Sequence, residues 1–160
     1  MNEQLTKKTK EIIEKILYIT IATVSEDGQP WNSPVYSAFD ENYNFYWNSW
    51  KENQHSKNIA ENGKVFIVIY DSTLPEGSGA NIGVYIQAKA YALTDEKEIE
   101  RARKLLAERK TKKSSKVRSA REFMGDYPRR VYKAVPEKVW MNDVGEVKGN
   151  YVDKRVEVKL

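Results

Sequence analysis

The hydrophobic positions at the start of the chain have the period of a helix. Among the lysines and glutamates of residues 3–16, the apolar positions are Leu5, Ile12, Ile13, Ile16 and Leu17. Recurrence at every third or fourth position places these side chains on one face, so the pattern predicts an amphipathic helix over residues 3–16.

The chain then takes on the composition of strands. Residues 17–24 and 31–39 are rich in β-branched and aromatic side chains, and between them the segment from Glu26 to Gln29 contains a glycine that can adopt a positive φ. This arrangement predicts a hairpin. A second polar turn at residues 40–42 leads to a third strand at 44–49, so we expect an antiparallel meander.

The middle of the chain predicts a helix followed by two strands. Asn53 has the residue type of an N-cap, and Asn62-Gly63 is typical of a helix end. The segment 64–71 has a continuously apolar middle, which is typical of a strand covered on both faces, so we expect it to be central in its sheet. Residues 84–92 alternate between two sets of side chains, which predicts a long half-buried strand.

The last part of the chain predicts two helices and two strands. Asp95 begins a helix and is favourably placed at its positive end. A short helix is expected near Phe123, and strands are expected at 130–141 and 151–160 around a turn at 143–149. Because strands outnumber helices and short turns join most of them, the sequence predicts a mainly β (α+β) fold, an antiparallel barrel with peripheral helices.

Composition narrows the class of protein further. The chain has 160 residues, 40% of them hydrophobic, which suits one domain spanning residues 1–160 with a sizeable core. It has no cysteine, so it holds no disulfide and no thiolate zinc site. Its longest apolar run, residues 65–70, is far shorter than the roughly 20 residues that span a bilayer. We therefore expect a cytoplasmic protein that does not enter a membrane.

The net charge of +4 is unevenly distributed. Between Lys97 and Arg118 there are ten lysines and arginines against three glutamates, and residues 109–121 hold seven positive charges and no negative one. Binding of nucleic-acid phosphates by residues 109–121 is one hypothesis. No aromatic residue interleaves the run and no nucleic-acid motif surrounds it. We therefore favour a solvated link outside the active site over nucleic-acid binding.

Two other segments are candidates for binding chemistry. Residues 77–83 have the spacing GxGxxxG and precede a strand, so a dinucleotide loop is disfavoured against a simple crossing between strands. His55 is the only histidine, which excludes a metal site built on several imidazoles. It lies with Ser56 and Lys57 at an expected helix start, where backbone N–H groups and the helix dipole favour an anion. A phosphate cradle and an ordinary surface helix are both open readings of this cluster.

Several residue strings, in their order along the chain, resemble the pyridoxamine 5′-phosphate oxidase-like family of FMN-binding split barrels. The strings are Ala22-Thr23-Val24, Glu26-Asp27-Gly28-Gln29-Pro30, Asn32-Ser33-Pro34-Val35, Phe45-Tyr46-Trp47-Asn48-Ser49, His55-Ser56-Lys57-Asn58-Ile59, Val84-Tyr85-Ile86-Gln87-Ala88-Lys89-Ala90 and Val135-Pro136-Glu137-Lys138-Val139-Trp140. Together they cover roughly residues 10 to 158. The resemblance implies an antiparallel split β-barrel, FMN as cofactor, and a homodimer with the flavin at the subunit interface.

The resemblance also implies site residues. Phosphate contacts in the family come from the end of the third strand and the following helix start, here Trp47, Asn48, Ser49, His55, Ser56 and Lys57. The flavin ring lies along the second strand, here Asn32, Ser33, Pro34 and Val35. Gln87 is implied near the site, and Trp140 and Arg155 are implied to reach the flavin from the other subunit.

The chain departs from the oxidase itself at two places. Ser33 and Ala38 stand where that enzyme carries an arginine and a lysine for FMN, and residues 151–155 replace its substrate motif Arg-x-His-Asp-Arg. The vitamin substrate is therefore not implied. The leading hypothesis is an FMN-dependent oxidoreductase with a small-molecule substrate that the sequence does not identify, and the alternative is a carrier or sensor of a flavin, deazaflavin or haem that performs no turnover.

Overall fold

The computed structural model describes residues 3–76, 83–110 and 118–160, which form three α-helices, one short 3-10 helix and eight strands. In chain order these are α1 (Glu3–Lys15), β1 (Tyr18–Val24), β2 (Pro30–Tyr36), β3 (Ala38–Phe39), β4 (Phe45–Trp50), α2 (Gln54–Glu61), β5 (Lys64–Tyr70), β6 (Gly83–Ala92), α3 (Glu96–Glu108), the 3-10 helix (Ala120–Phe123), β7 (Arg129–Val147) and β8 (Asn150–Val158). The mainly β, α+β prediction is confirmed. The GxGxxxG segment falls almost entirely outside the described residues.

The strands form one antiparallel sheet in the order β2-β1-β5-β6-β7-β4-β3, with β8 paired to β7. The sheet curls so that β2 and β4 contact each other without pairing in the described part of the chain. This leaves a seam between β2 and β4 in a barrel that is otherwise hydrogen-bonded from strand to strand. The architecture is that of a split barrel with peripheral helices.

The side chains that point into the barrel form the main core. It includes Ile21, Ile67 and Ile86, which lie side by side on β1, β5 and β6 and are fully buried. The apolar face of α1 covers part of this core through Ile12 and Ile13. A second, smaller cluster joins α3 to β4 and β7 and anchors that helix on the outside of the barrel.

Most predicted element boundaries are confirmed within one to three residues, because local signals control them. Gly28 has a φ of 85°, as expected for the first hairpin turn. Asp95 caps α3 by accepting a hydrogen bond from the Glu98 N–H at 2.8 Å. The helix near Phe123 is one 3-10 turn with a capping box formed by Ser119 and Glu122.

Two predicted strands and one predicted turn differ in extent. The segment 31–39 is not one strand, because the regular strand is interrupted at Ser37, between β2 and β3. The turn expected over residues 143–149 is much tighter: β7 continues to Val147, and Lys148 and Gly149 make the turn with φ values of 51° and 76°. Positive φ at two successive residues matches the twist of a tight hairpin, so the strands extend further than composition indicated.

β5 is central in the sheet, as expected, but it is not covered on both faces within one chain. Its inward residues Val65, Ile67 and Ile69 are at most 4% exposed, whereas the outward Phe66 and Tyr70 are 39% and 49% exposed. The apolar run is therefore buried on one side only. The outward side chains of β5 form part of an exposed apolar surface.

Gly63 allows two parts of the backbone to approach closely. A Cβ at this position would lie 2.6 Å from the carbonyl oxygen of Ala90, whose N–H donates to the Gly63 carbonyl at 2.7 Å. We expect Gly63→Ala to lower the free energy of unfolding by about 2 kcal/mol, since the backbone must move to admit the methyl group. Thermal unfolding checks this against Glu61→Ala, an exposed helix substitution expected to change stability by less than about 0.5 kcal/mol. Equal stability of both variants would contradict the close approach.

Among the residues with described structure, no helix is both long enough and apolar enough to cross a membrane.

Candidate functional site

A cavity of about 330 Å³ occupies the seam between β2 and β4. Its walls come from both strands, from the start of α2, from the end of α3 and from the start of β7. The lining residues are Pro34, Val35, Tyr36, Asn48, Ser49, Trp50, Asn53, His55, Leu106, Lys110 and Arg129. Five of the predicted cofactor residues, Pro34, Val35, Asn48, Ser49 and His55, thus line one cavity.

The floor of this cavity is a hydrogen-bonded group at the turn from β4 into α2. The Ser49 hydroxyl and His55 Nε2 are 2.8 Å apart, and both residues are buried. Asn53 precedes the helix but does not cap it, because its Nδ2 donates to the Ser49 hydroxyl at 2.9 Å instead. The first N–H groups of α2 therefore remain unpaired by that side chain, and the helix presents its positive end near the cavity.

Burial lowers the pKa of His55 below its ordinary value of 6.5. The imidazole is therefore uncharged at neutral pH and acts as a hydrogen-bonding group, not as a cation. No carboxylate lines the cavity within the described ranges, and its formal charges are those of Lys110 and Arg129.

The lowered pKa of His55 predicts a specific loss of stability in mild acid. The unfolded chain takes up a proton near pH 6.5 while the folded chain does not, so the free energy of unfolding should fall as the pH drops below about 6.5 and level off below the folded pKa. Denaturant unfolding from pH 7.5 to 5 measures this slope. Because His55 is the only histidine, His55→Gln should remove the slope between pH 5.5 and 6.5, and a variant that keeps it would contradict the assignment.

Ser56 and Lys57 do not join this cavity, although the sequence grouped them with His55. Both line a second, more open cleft of about 800 Å³ on another side of α2, together with Arg130 and Tyr132. Lys57 pairs there with Glu52 at 3.3 Å. The reason is helical geometry, since successive residues of a helix point about 100° apart and three neighbours cannot face one ligand.

The side chain of Trp47 lies in the core and not at the cavity. It is fully buried and stacks on Tyr132 with ring centroids 5.6 Å apart. The Trp47 indole N–H and the Ser56 hydroxyl are buried and find no hydrogen-bond partner in the described part of the chain. The alternation of β4 turns Trp47 inward and Asn48 outward, so only the second of these two neighbours can reach a ligand with its side chain.

Asn32, Gln87, Trp140 and Arg155 lie on the outward face of the sheet. The register aligns Asn32 with Ala22, Phe66 and Gln87, and the next row aligns Tyr85 with Trp140. We call this surface the outer face; its large side chains are Tyr18, Val24, Phe66, Val68, Tyr70, Tyr85, Trp140, Val144 and Tyr151. The Arg155 guanidinium lies 4.1 Å from the Tyr85 ring centroid, and Phe66 stacks on Trp140 at 6.3 Å.

Trp140 does not line the seam cavity of its own chain. It pairs with Tyr85 on the outer face, eleven residues along β7 from Arg129, which does line the cavity. Ser33, for its part, accepts a hydrogen bond from the Trp31 indole N–H at 3.1 Å. One chain thus holds the predicted residues in separate groups.

Six cavity residues were not among the predicted set: Tyr36, Trp50, Asn53, Leu106, Lys110 and Arg129. The sequence singled out Asn53, but as a helix N-cap and not as a residue of a binding site. Arg129 reaches the cavity because β7 pairs with β4 in the register Trp50 opposite Arg129. Such a long-range register has no local signature, so no pattern along the chain could have identified it.

The basic segment 109–121 is not simply a solvated link outside the site. The Arg109 guanidinium is half-buried and donates to the backbone carbonyls of Ile13 and Ile16 at the end of α1, at 2.5 and 2.7 Å. Lys110 lines the seam cavity. Arg121 pairs with Glu96 at 3.2 Å. Residues 111–117 of the segment lie outside the described residues.

Within the described residues, no three histidine, aspartate or glutamate side chains form a group that could hold a metal ion.

The geometry can be compared with known proteins. The family model described as pyridoxamine 5′-phosphate oxidase matches residues 5–143, which is more than half of the chain. The chain belongs to this family. No curated protein matches the sequence significantly.

Solved structures share the fold of this family member at low sequence identity. A protein from Listeria innocua described as a suggested pyridoxamine 5′-phosphate oxidase is 20% identical with a TM-score of 0.60, over 86% of this chain and 97% of that chain. An F420 reductase is 18% identical with a TM-score of 0.60, over 81% and 94% of the two chains. A heme binding protein from Mycobacterium smegmatis is 17% identical with a TM-score of 0.66, over 94% of this chain and 57% of that one. At these identities the likeness shows the fold alone.

Proposed function

We propose that this member of the pyridoxamine 5′-phosphate oxidase family is an FMN-binding flavoprotein oxidoreductase that acts as a homodimer on a small-molecule substrate, with residues 1–160 forming one FMN-binding domain. The observation that carries the proposal is the cavity in the barrel seam. Its floor offers buried hydrogen-bonding groups and the start of a helix, and two cations are its only formal charges in the described part of the chain. Buried hydrogen-bonding groups, a helix start and two cations in one cavity suit a ligand that carries an anionic group.

The residues of the seam fit the two ends of FMN. For the phosphate, the proposed ligands are Asn48, Ser49 and His55, near the start of α2. For the ring, the proposed support is β2 from Asn32 to Val35, since β2 is the last strand of its sheet and its outer edge has no paired strand within the described ranges. Backbone N–H and C=O groups at such an edge are free to hydrogen-bond the polar rim of a planar ring.

FMN, when bound, supplies hydride chemistry at N5 of its ring, so the protein needs no acid-base dyad. The chain's own residues then have binding and orienting roles. Ser49 and His55 hold one another at 2.8 Å, and together they would hold the phosphate end of FMN. Val35 and Leu106 are buried apolar groups of the cavity wall that keep water from its inner side.

A second copy completes the proposed site. Trp140 and Arg155 lie on the outer face and do not line the seam cavity of their own chain, and we propose that they reach a flavin on β2 from a partner. The outer face has the exposed aromatic and aliphatic side chains that mark an interface. We therefore propose that Asn32, Gln87, Trp140 and Arg155 contribute to the site through the dimer.

A second candidate function is a carrier or sensor without turnover, for FMN, for a deazaflavin or for haem. It is favoured by the sharing of this fold between an F420 reductase and a heme binding protein. Nucleic-acid binding by residues 109–121 has less support, since Arg109 is engaged with the end of α1 and Arg121 with Glu96.

Reconstitution with FMN tests the proposal. The protein should acquire a flavin absorbance band and, at about 100 times Kd, be stabilised by about 2.7 kcal/mol against unfolding. Reduction of the bound flavin by NADH or NADPH would support the oxidoreductase, whereas tight binding without reduction would favour the carrier. If FMN gives neither the band nor the protection, the flavin proposal is wrong.

A further inference from the structure

The positive charges of the seam cavity do not come from the second strand, β2. Its floor is neutral at pH 7, because burial lowers the pKa of His55 and because Ser49 and Asn53 carry no charge. The positive groups of the cavity are Arg129, at the start of β7, and Lys110, just beyond the end of α3. A ligand in this cavity therefore meets its cations on the β7 and α3 side.

Arg129 is held in position by a ring and not by a carboxylate. Its guanidinium lies 4.8 Å from the centroid of Trp50, directly opposite on β4. Within the described ranges Arg129 makes no hydrogen bond from its side chain and no ion pair. Its neighbour Arg130 is different, because its guanidinium donates to the backbone carbonyls of Gly125, Tyr127 and Arg129. The Arg129 fork is therefore the one left available to a ligand.

Lys110 has the same lack of a counter-charge in the described part of the chain, and it is exposed at the mouth of the cavity. Two cations that share one cavity repel each other, and an anion between them relieves that repulsion. Arginine binds two oxygens of a phosphate in a planar fork, and lysine adds a flexible point charge. A phosphate monoester carries a charge between −1.5 and −2 at pH 7, which matches two cations.

We infer that Arg129 and Lys110 are the charge-selecting residues of this site, and that they make it specific for a ligand with a terminal phosphate. The inference rests on the proposed function for the identity of the ring, but not for the recognition of phosphate. It predicts that the protein distinguishes FMN from riboflavin, which has the same ring and no phosphate.

Flavin titrations of the full chain test this selectivity. We expect Arg129→Gln and Lys110→Gln each to weaken FMN binding about tenfold and the double variant about 100-fold, while riboflavin affinity changes less than about threefold. FMN affinity of the unchanged protein should also fall with added salt, and riboflavin affinity should not. Lys104→Gln removes one charge from the exposed side of α3 and serves as the control. Equal losses for FMN and riboflavin, or no loss in the double variant, would overturn the inference.

A second arm needs no flavin and separates this inference from the proposed function. Inorganic pyrophosphate is added to the protein while the tryptophan fluorescence is recorded. Trp50 reports on Arg129, because its ring packs against the guanidinium and is 47% exposed. We expect an emission change that Trp50→Phe and Arg129→Gln both abolish. If that change occurs but no flavin binds, the flavin proposal fails and the phosphate site stands. If FMN and riboflavin bind equally well, the flavin proposal stands and the phosphate selectivity is wrong.

Discussion

A Phe66→Glu/Tyr70→Glu variant is expected to behave as a monomer under conditions in which the unchanged protein is a dimer of twice the 18.6 kDa chain mass. Both side chains lie on the outer face of β5 and are 39% and 49% exposed in one chain. Exposure of such an apolar face to water is unfavourable, and burial of the face against a second copy of the chain lowers the free energy. Two buried glutamates without partners would reverse that gain.

Sedimentation velocity with thermal unfolding measures this effect. The folded monomer should survive, because neither replaced side chain contributes to the barrel core. Tyr127→Glu is the matched control, since Tyr127 is 52% exposed but precedes β7 outside the outer face; it should remain dimeric. If the double variant stayed dimeric, or the unchanged protein were monomeric at micromolar concentration, the outer face would not be the interface.

His55→Ala is expected to weaken FMN binding by about ten- to a hundredfold. Affinity is lost because the phosphate of FMN loses a buried hydrogen-bonding partner, and a hydrogen bond to a charged group contributes about 1.5–3 kcal/mol. Ser49 also loses its 2.8 Å partner and is held by Asn53 alone. Fluorescence titration of FMN measures the change.

Lys57→Ala provides the contrast for that measurement. Lys57 carries a full positive charge two residues from His55, but it faces the other cleft and pairs with Glu52. We expect its FMN affinity to stay within about twofold of the unchanged protein, as for a surface substitution away from the site. Equal losses at His55 and Lys57 would mean that the ligand lies across the α2 start and not in the seam.

Local signals explain which parts of the fold could be predicted. The helix period predicted α1, the Asp95 cap predicted the start of α3, and the glycine of the first turn predicted the β1–β2 hairpin. Each depends on contacts between residues close in sequence, whose geometry residue type largely determines. The β7–β8 hairpin was harder, because its short turn at Lys148 and Gly149 lies inside a polar stretch that resembles a loop.

The sites depend on contacts that lie far apart in sequence. The resemblance implied Ser49 and His55 as site residues, and the turn into α2 brings these side chains, six residues apart in sequence, to 2.8 Å; their role in binding stays a prediction. Arg129 enters the same cavity through strand pairing with Trp50, almost eighty positions away. No pattern within a window of the chain records that pairing. The apolar run of β5 was likewise interpreted as doubly covered, whereas one chain covers only its inner side and leaves Phe66 outside.

The most direct test of the central claim is the absorbance spectrum of the protein as purified, followed by mass identification of the released cofactor. We expect the two absorbance bands of an oxidised flavin and a released molecule with the mass of FMN, at one per chain. A haem spectrum, a released deazaflavin, or a colourless protein that gains no absorbance after incubation with FMN would contradict it.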